Sequence, residues 1–147
     1  LIQRDVATWN AMIGAYAQNG LGKLSIELFQ EMQRMSIEPD NITFLNILKA
    51  CSSITDLELG KSIDTLISSS GFGSDARVAS TLIDMYLKCG SLDHANNIFL
   101  NLKVRDCVMW NTMIRGYEEH GKNQETLQLM QRMVIVKVPS NVYNLWN

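Results

Sequence analysis

One stretch of this chain occurs twice, 101 residues apart. Residues 9–16 read WNAMIGAY and residues 110–117 read WNTMIRGY, and a glycine follows each copy at the same distance. Two weaker copies lie between them, over residues 43–51 and 79–86, at offsets of 35 and 70 residues from the first. A period of this length is typical of arrays in which each repeat forms one supersecondary unit. The sequence therefore predicts an array of four repeats.

Each copy carries apolar residues that fall on one face of a helix with 3.6 residues per turn. These residues are Trp9, Met12, Ile13 and Tyr16; Phe44, Ile47, Leu48 and Cys51; Ala79, Leu82, Ile83 and Tyr86; and Trp110, Met113, Ile114 and Tyr117. A second apolar pattern follows, and it contains a small residue in every copy, namely Ser25, Gly60, Ala95 or Thr126. In three copies a glycine suited to a helix C-terminus separates the two patterns: Gly20, Gly90 and Gly121. Each repeat is thus predicted to be a pair of helices.

Neither helix of such a pair can bury its apolar face without a neighbouring repeat. We therefore expect an all-α chain, a right-handed αα superhelical solenoid of helix-turn-helix repeats with about eight helices. The predicted repeats are 6–40, 41–75, 76–106 and 107–141. Residues 1–5 are interpreted as the end of a preceding repeat and residues 142–147 as the start of a further one.

Composition excludes several other classes of protein. The chain is 46% hydrophobic and 19% charged, but its apolar runs are far shorter than the roughly 18 residues of a membrane span. Its three cysteines include no CxxC pair, and its two histidines have no second ligand at metal spacing. We therefore expect no membrane contact, no metal, no cofactor and no small-molecule substrate. The pI of about 5.6 also argues against a broadly basic nucleic-acid surface.

The repeat motif resembles the pentatricopeptide repeat (PPR). The resemblance lies in residues 6–13 (VATWNAMI), 27–32 (ELFQEM) and 37–40 (IEPD). Tetratricopeptide repeats have a similar length. However, that family places a small residue where this chain has Ile13, Leu48, Ile83 or Ile114.

The alternation of repeat lengths resembles one subclass of the family, the plant PLS subclass. Residues 41–75 look like its long (L) type and residues 76–106 like its short (S) type, while the flanking repeats 6–40 and 107–141 look like the P type. The last repeat is one residue short near its end.

The resemblance implies sequence-specific binding of single-stranded RNA in a mitochondrion or chloroplast, the targeting segment lying outside this sequence. It also implies a role as the recognition part of an RNA-processing or C-to-U editing factor, with RNA-editing accessory proteins as further partners. The zinc-deaminase signature of H-x-E followed by P-C-x-x-C does not occur in the chain. We therefore expect recognition without catalysis, and no catalytic residue.

In the family, bases are read by the fifth residue of the first helix and by the last residue of the repeat. Carried over, the base-reading candidates are Asn10 with Asp40, Ser80 with Asp106, and Asn111 with Ser140 or Asn141. Amides, hydroxyls and carboxylates suit this task because they donate to or accept from base edges. Read with the family's preferences, these pairs predict the register 5′-U-N-G-Y. Asp40, Asp75 and Asp106 each precede a predicted helix, so each is also a candidate N-cap, a role compatible with reading.

Further candidates surround these pairs. The resemblance assigns base packing to the second residue of each repeat, here Ala7, Arg77 and Val108, with Ile42 in the second repeat. That repeat has Leu45 at the reading position, so no base is assigned to it. Lys49 and Arg115 lie one turn beyond the reading position and are candidate phosphate contacts, although a solvated surface charge is an equal alternative.

The alternative function is a protein-binding αα-repeat scaffold of tetratricopeptide-like type, whose groove would hold a peptide or a partner helix. A peptide groove gives no reason for Asn, Leu, Ser and Asn to alternate at the reading position in step with repeat type. The reading position therefore favours RNA.

Overall fold

The computed structural model describes residues 5–136, with side chains up to residue 132. This part of the chain contains eight α-helices and no strand. The helices are α1 (Val6–Gln18), α2 (Gly22–Arg34), α3 (Asn41–Ile54), α4 (Leu57–Ser69), α5 (Ala76–Lys88), α6 (Leu92–Asn101), α7 (Cys107–Glu119) and α8 (Asn123–Val136). The all-α prediction and the predicted helix count are confirmed. No helix of the described residues is long and apolar enough to cross a membrane.

Each odd-numbered helix begins after an aspartate that caps it. The carboxylate accepts a hydrogen bond from a backbone N–H in the first turn, which would otherwise have no partner inside the helix. The four caps are Asp5, Asp40, Asp75 and Asp106. The predicted capping role is therefore confirmed for Asp40, Asp75 and Asp106.

Three odd-numbered helices end at a glycine in the left-handed conformation. The φ angles are 75° at Gly20, 84° at Gly90 and 71° at Gly121. Glycine adopts this left-handed region at little energetic cost because it has no Cβ. In each case the next residue donates its N–H to a carbonyl in the last turn of the helix, as for Ser91 to Tyr86 O at 2.8 Å. The sequence pattern identified these helix ends correctly.

The odd-numbered helices form one layer, in which α1, α3, α5 and α7 pack side by side. The predicted apolar stripe is buried along this layer except at Met12, Tyr16 and Tyr117. These three residues lie in the first and last helix pairs of the described residues, where one side of the layer has no neighbour. Burial of the stripe therefore depends on the next repeat, as expected for a solenoid.

The even-numbered helices form a second layer against the first. All four small residues of the second pattern are buried where the two layers meet: Ser25, Gly60, Ala95 and Thr126. The Ser25 hydroxyl donates to Ile13 O at 2.9 Å, which joins α2 to α1. At Gly60, an added Cβ would lie 2.5 Å from Met85 Sδ. Small residues at this column therefore let the layers approach closely.

Helix α6 has 10 residues, whereas the other helices have 13 or 14. Arg105 ends it, because its guanidinium donates to Phe99 O and Leu100 O, both at 2.7 Å, and lies over the Phe99 ring. Phe99 in turn packs edge-on against Trp110, with ring centroids 4.8 Å apart. The shorter third repeat is thus accommodated by a shortened second helix with a side-chain cap.

Gly22 offers a test of the packing between the layers. An added Cβ at Gly22 would lie 2.7 Å from Ser53 Oγ, 2.8 Å from Ile54 Cγ2 and 3.3 Å from Ala50 O. We expect Gly22→Ala to lower the free energy of unfolding by about 1–3 kcal/mol, the usual range for overpacking. Urea denaturation followed by circular dichroism measures this.

The matched control is Gly73→Ala. No atom lies within 4 Å of its added Cβ, and its φ is not positive. We expect a change of at most about 0.5 kcal/mol. Equal effects of the two substitutions would show that the contact between Gly22 and the end of α3 does not limit stability.

Candidate functional site

The predicted base-reading and base-packing residues in the described part of the chain lie in a row at the N-terminal turns of the odd-numbered helices. These helices pack directly on one another, whereas an open depression of about 320 Å³ lies between α2 and α4. Each odd-numbered helix begins at the first residue of a predicted repeat. The second and fifth residues of each repeat therefore share the first two turns of one helix, beside the aspartate that caps it.

Asn10 and Asp40, one predicted reading pair, are joined directly. Asn10 Nδ2 donates to Asp40 Oδ1 at 2.9 Å across the boundary between α1 and α3. Asn10 Oδ1 accepts from the Thr43 hydroxyl, and Asn46 Nδ2 donates to the Asn10 carbonyl at 3.2 Å. Asn10 is only 7% exposed. The amide is therefore held by its neighbours on α3.

Asp40 is half-buried and takes part in several hydrogen bonds. Burial raises the pKa of its carboxyl, but hydrogen bonds from the Thr43 backbone, the Asn10 amide, the Thr43 hydroxyl and the Ile42 backbone outweigh this effect. The net result is a pKa below the usual 3.8. At neutral pH the group is a carboxylate, which accepts hydrogen bonds but does not donate them.

The second predicted pair is not joined. Asp106 Oδ1 accepts from the Met109 backbone at 2.9 Å, and within the described residues no hydrogen bond involves the Ser80 hydroxyl. The serine side chain is one bond shorter than that of asparagine, so it does not reach across the helix boundary as Asn10 does. Ser80 is half-buried and Asp106 exposed, which leaves both within reach of a ligand.

For the third pair the structure describes Asn111 alone, because Ser140 and Asn141 lie outside the described residues. The predicted flanking segments, 1–5 and 142–147, also lie outside them, apart from Asp5. Asn111 is half-buried, and its Oδ1 is buried with no hydrogen-bond partner among the described residues. In the second repeat Leu45 is 5% exposed and offers no polar atom at the reading position.

The second residues of the repeats form an exposed row. Ala7 and Arg77 are exposed, and the apolar side chains of Ile42 and Val108 are 39% and 62% exposed. Exposed apolar side chains at one register position are available to pack against a flat ring. The location of these residues is thus compatible with base packing, whereas Ala7 offers little area.

The charged residues on the odd-numbered helices carry both signs. Lys49 and Arg115, the candidate phosphate contacts, are exposed. Between them along the array, Asp84 forms an ion pair with Lys88 at 3.0 Å. Arg115 borders a surface depression of about 180 Å³ that also contains Asp84 and Glu119. The positive charge near the fourth repeat is therefore partly offset by carboxylates.

Sequence reasoning did not find Thr43 or Asn46. Thr43 carries a signal of its own, since Asp-x-x-Thr at a helix start is a capping-box pattern, and the structure contains that box. Its contact with Asn10 depends on how α1 crosses α3, which no local pattern encodes. The same close crossing explains Gly14, whose added Cβ would lie 2.9 Å from Asn46 Nδ2.

Two models of one repeat family match the chain. A PPR repeat family model covers residues 4–53, and a PPR repeat model covers residues 78–107 and 108–135. The chain belongs to the pentatricopeptide repeat family. A pentatricopeptide repeat-containing protein of Arabidopsis thaliana is 42% identical over 132 residues, which are 90% of this chain and 17% of that protein. A second one from the same plant is 37% identical over 135 residues, 91% of this chain and 16% of that protein.

Solved structures agree with the fold. Maize PPR10 superposes with a TM-score of 0.78 and 21% identity, covering 97% of this chain and 21% of PPR10. PPR10 in complex with an 18-nucleotide psaJ RNA element superposes with a TM-score of 0.74, again at 21% identity, covering 95% of this chain and 21% of PPR10. This chain thus spans about a fifth or less of the proteins it resembles. The αα solenoid architecture is confirmed.

Some relatives carry an organelle in their names. One Arabidopsis relative, 36% identical over 95% of this chain and covered for 16% of its own length, is named mitochondrial. Another, 33% identical over 90% of this chain and also covered for 16%, is named chloroplastic. Within the described residues no group of three or more His, Cys, Asp or Glu side chains is arranged to hold a metal ion.

The charged form of Asp40 should contribute stability in a pH-dependent way. Because the folded pKa is below 3.8, this contribution is complete above pH 3.8 and is lost as the pH falls through the folded value. We expect Asp40→Asn, which keeps a capping side chain, to lower the free energy of unfolding at about pH 7 and to approach the wild type at about pH 2.5. Urea denaturation of both proteins at the two pH values measures this, and an equal difference at both would contradict it.

Proposed function

We propose that this chain binds single-stranded RNA along the row formed by the N-terminal turns of α1, α3, α5 and α7. The observation that carries the proposal is the hydrogen bond between Asn10 and Asp40, which brings a fifth residue and a last residue together at one helix boundary. The two side chains offer a donor and an acceptor side by side, the arrangement that a base edge requires. The complex of PPR10 with an RNA element, on the same fold, supports the proposal.

The proposed register is 5′-U-N-G-Y. Asn10 with Asp40 reads U, Ser80 with Asp106 reads G, and Asn111 with Ser140 or Asn141 reads a pyrimidine. Ala7, Arg77 and Val108 pack against the bases, and the apolar Leu45 leaves the second slot without a reader. If each reading pair supplies about 1–3 kcal/mol of discrimination, binding by this chain should be micromolar or weaker.

The chain acts, in this proposal, as the recognition part of an RNA-processing or C-to-U editing factor, without catalysis of its own. We assign repeats 6–40, 41–75, 76–106 and 107–141 to the P, L, S and P types of the PLS subclass. The shortened α6 and the helix starts at the first residue of each repeat support this division. The proposed location is a mitochondrion or chloroplast, and RNA-editing accessory proteins are proposed as further partners.

Fluorescence anisotropy tests the proposal directly. Labelled single-stranded RNA containing U-N-G-Y is titrated with the chain and compared with a scrambled RNA and the matching DNA. Preference for the matched RNA supports RNA reading. A folded chain that binds none of the three, even at high micromolar concentration, would contradict it and favour the protein-binding scaffold.

Asn10 is expected to set the preference of the first slot. Asn10→Thr replaces an amide by a hydroxyl beside the same carboxylate, and in this family that pair favours G. We expect the ratio of affinities for U over G in the first position to fall by about tenfold or more, the size of one good base contact. Competition anisotropy with RNAs that differ only in that base measures the ratio.

Asn97→Thr is the matched control, because Asn97 is exposed on α6 in the other layer. It should leave the ratio unchanged. An unchanged ratio in Asn10→Thr would remove Asn10 from the proposed readers.

Arg115 is expected to contact phosphate rather than a base. Arg115→Gln should weaken binding to matched and scrambled RNA by similar factors and reduce the slope of log affinity against log salt by about 1. Titrations at several salt concentrations measure the slope.

The control is Arg34→Gln, which makes the same change in net charge on α2, where Arg34 pairs with Glu31. Equal slopes for the two variants would assign Arg115 to the solvated surface instead.

A further inference from the structure

Thr43, the third residue of α3, bridges the two members of the first reading pair. Its side chain is fully buried. The Thr43 hydroxyl accepts from the Asp40 backbone N–H at 3.1 Å and donates to Asn10 Oδ1, with a second, longer contact of 3.1 Å from the same hydroxyl to Asp40 Oδ1. Its own backbone N–H donates to Asp40 Oδ1 at 3.1 Å. One residue of the second repeat therefore contacts both readers assigned to the first.

The contacts leave the Asn10 amide only one orientation. Asp40 is ionised and can only accept, so the amide atom 2.9 Å from it must be the donor Nδ2. The amide oxygen then lies on the side of Thr43, whose hydroxyl proton satisfies it. Of the two Nδ2 protons, one is used by Asp40, and the second is available to a ligand. The held amide therefore offers a donor to the groove.

The orientation of this amide matters for telling the two pyrimidines apart. Uracil has an oxygen on C4, which accepts a hydrogen bond, whereas cytosine has an amino group at the same place, which donates. An amide that offers N–H matches uracil but not cytosine. The two groups that hold the amide in this orientation, Asp40 at Nδ2 and Thr43 at Oδ1, thus favour U over C.

We propose that Thr43 is a positioning residue for base reading by Asn10, and that its hydroxyl makes the first slot prefer U over C. The inference rests on the proposed RNA-binding function. Without the hydroxyl, Asn10 Oδ1 is left buried without this partner, which is unfavourable. The amide is then held by Asp40 alone, so the N–H that it offers to a base is less firmly placed and discriminates less between U and C.

The other described repeats do not have this arrangement. At the two later boundaries the residues equivalent to Thr43 are Val78 on α5 and Met109 on α7, which are buried but have no hydroxyl. The equivalent on α1 is Thr8, and no reading residue that precedes it is among the described residues. The reading positions on the preceding odd-numbered helices are Leu45 on α3, before Val78, and Ser80 on α5, before Met109. Neither of these side chains has an amide. Within the described residues, the hydroxyl lock is therefore specific to the boundary between the first two repeats.

The test compares Thr43→Ser with Thr43→Ala, which both remove the methyl group and differ only in the hydroxyl. Affinities are measured by competition anisotropy for RNAs with U or C in the first position of U-N-G-Y. We expect Thr43→Ser to keep the wild-type preference for U. We expect Thr43→Ala to reduce the ratio by about threefold to tenfold, the range for one lost hydrogen bond. Thr65→Ala is the control, since its hydroxyl bonds the Lys61 carbonyl on the exposed side of α4.

The outcomes separate this inference from the function on which it rests. A wild-type chain that binds no RNA, or binds it without preference in the first position, contradicts both. A wild-type preference for U that Thr43→Ala leaves unchanged contradicts only the role of Thr43. A general loss of affinity with an unchanged ratio would also overturn it, because this is the effect of a merely structural residue.

A second measurement uses the wild-type chain alone. In the wild-type chain, nuclear magnetic resonance should show that the side-chain amide protons of Asn10 exchange slowly with solvent, because the group is buried and hydrogen-bonded. Exchange as fast as that of an exposed asparagine side chain would mean that the amide is not held, and it would overturn the proposal even if Thr43→Ala does not fold.

Discussion

The lateral packing of the odd-numbered helices is the contact on which the other features depend. Each of these helices presents apolar side chains to its own partner and to the next repeat, so an isolated helix pair would leave much of this surface in water. Phe44, Ile47 and Leu48 are fully buried in α3, which has a neighbour on each side. Because the helices lie close together, the first turn of one helix comes within hydrogen-bonding distance of the next. The site is a consequence of that spacing.

The hydrogen bond between Asn10 and Asp40 illustrates this dependence. Asp40 is placed by its role as the N-cap of α3, and Asn10 is placed by the buried apolar residues Trp9 and Ile13 beside it on α1. Neither residue needs a ligand to hold its position. A chain that caps its helices with aspartate therefore has carboxylates already arranged along one edge of the layer, and capping is compatible with the reading role proposed for the same side chains.

Periodicity made most of the fold predictable, because the stripe, the small-residue column and the glycine caps are all local signals that recur in register. The places of the proposed reading residues in the fold were predictable for the same reason, since each occupies the same position in its repeat. Contacts between repeats were not. That Asn10 reaches Asp40 while Ser80 makes no bond with Asp106 depends on side-chain length across a helix boundary. The sequence around Thr43 indicates a capping residue only, since nothing in that segment identifies its contact with the Asn10 amide.

These contacts connect neighbouring repeats, so a repeat does not act alone in the proposed base recognition. A rule that assigns one base to the two reading residues of each repeat treats the repeats as independent. However, Asn10 lies on α1, whereas Asp40 caps α3 and Thr43 lies within α3. In the proposed function, the unit that offers hydrogen bonds to a base is therefore a boundary between two repeats, and each inner repeat belongs to two such units. Since repeat arrays transmit interactions mainly between nearest neighbours, the identity of the third residue in the following repeat should matter wherever the reader is an amide. It should matter less where the reader is Ser80, whose hydroxyl can turn to donate or accept.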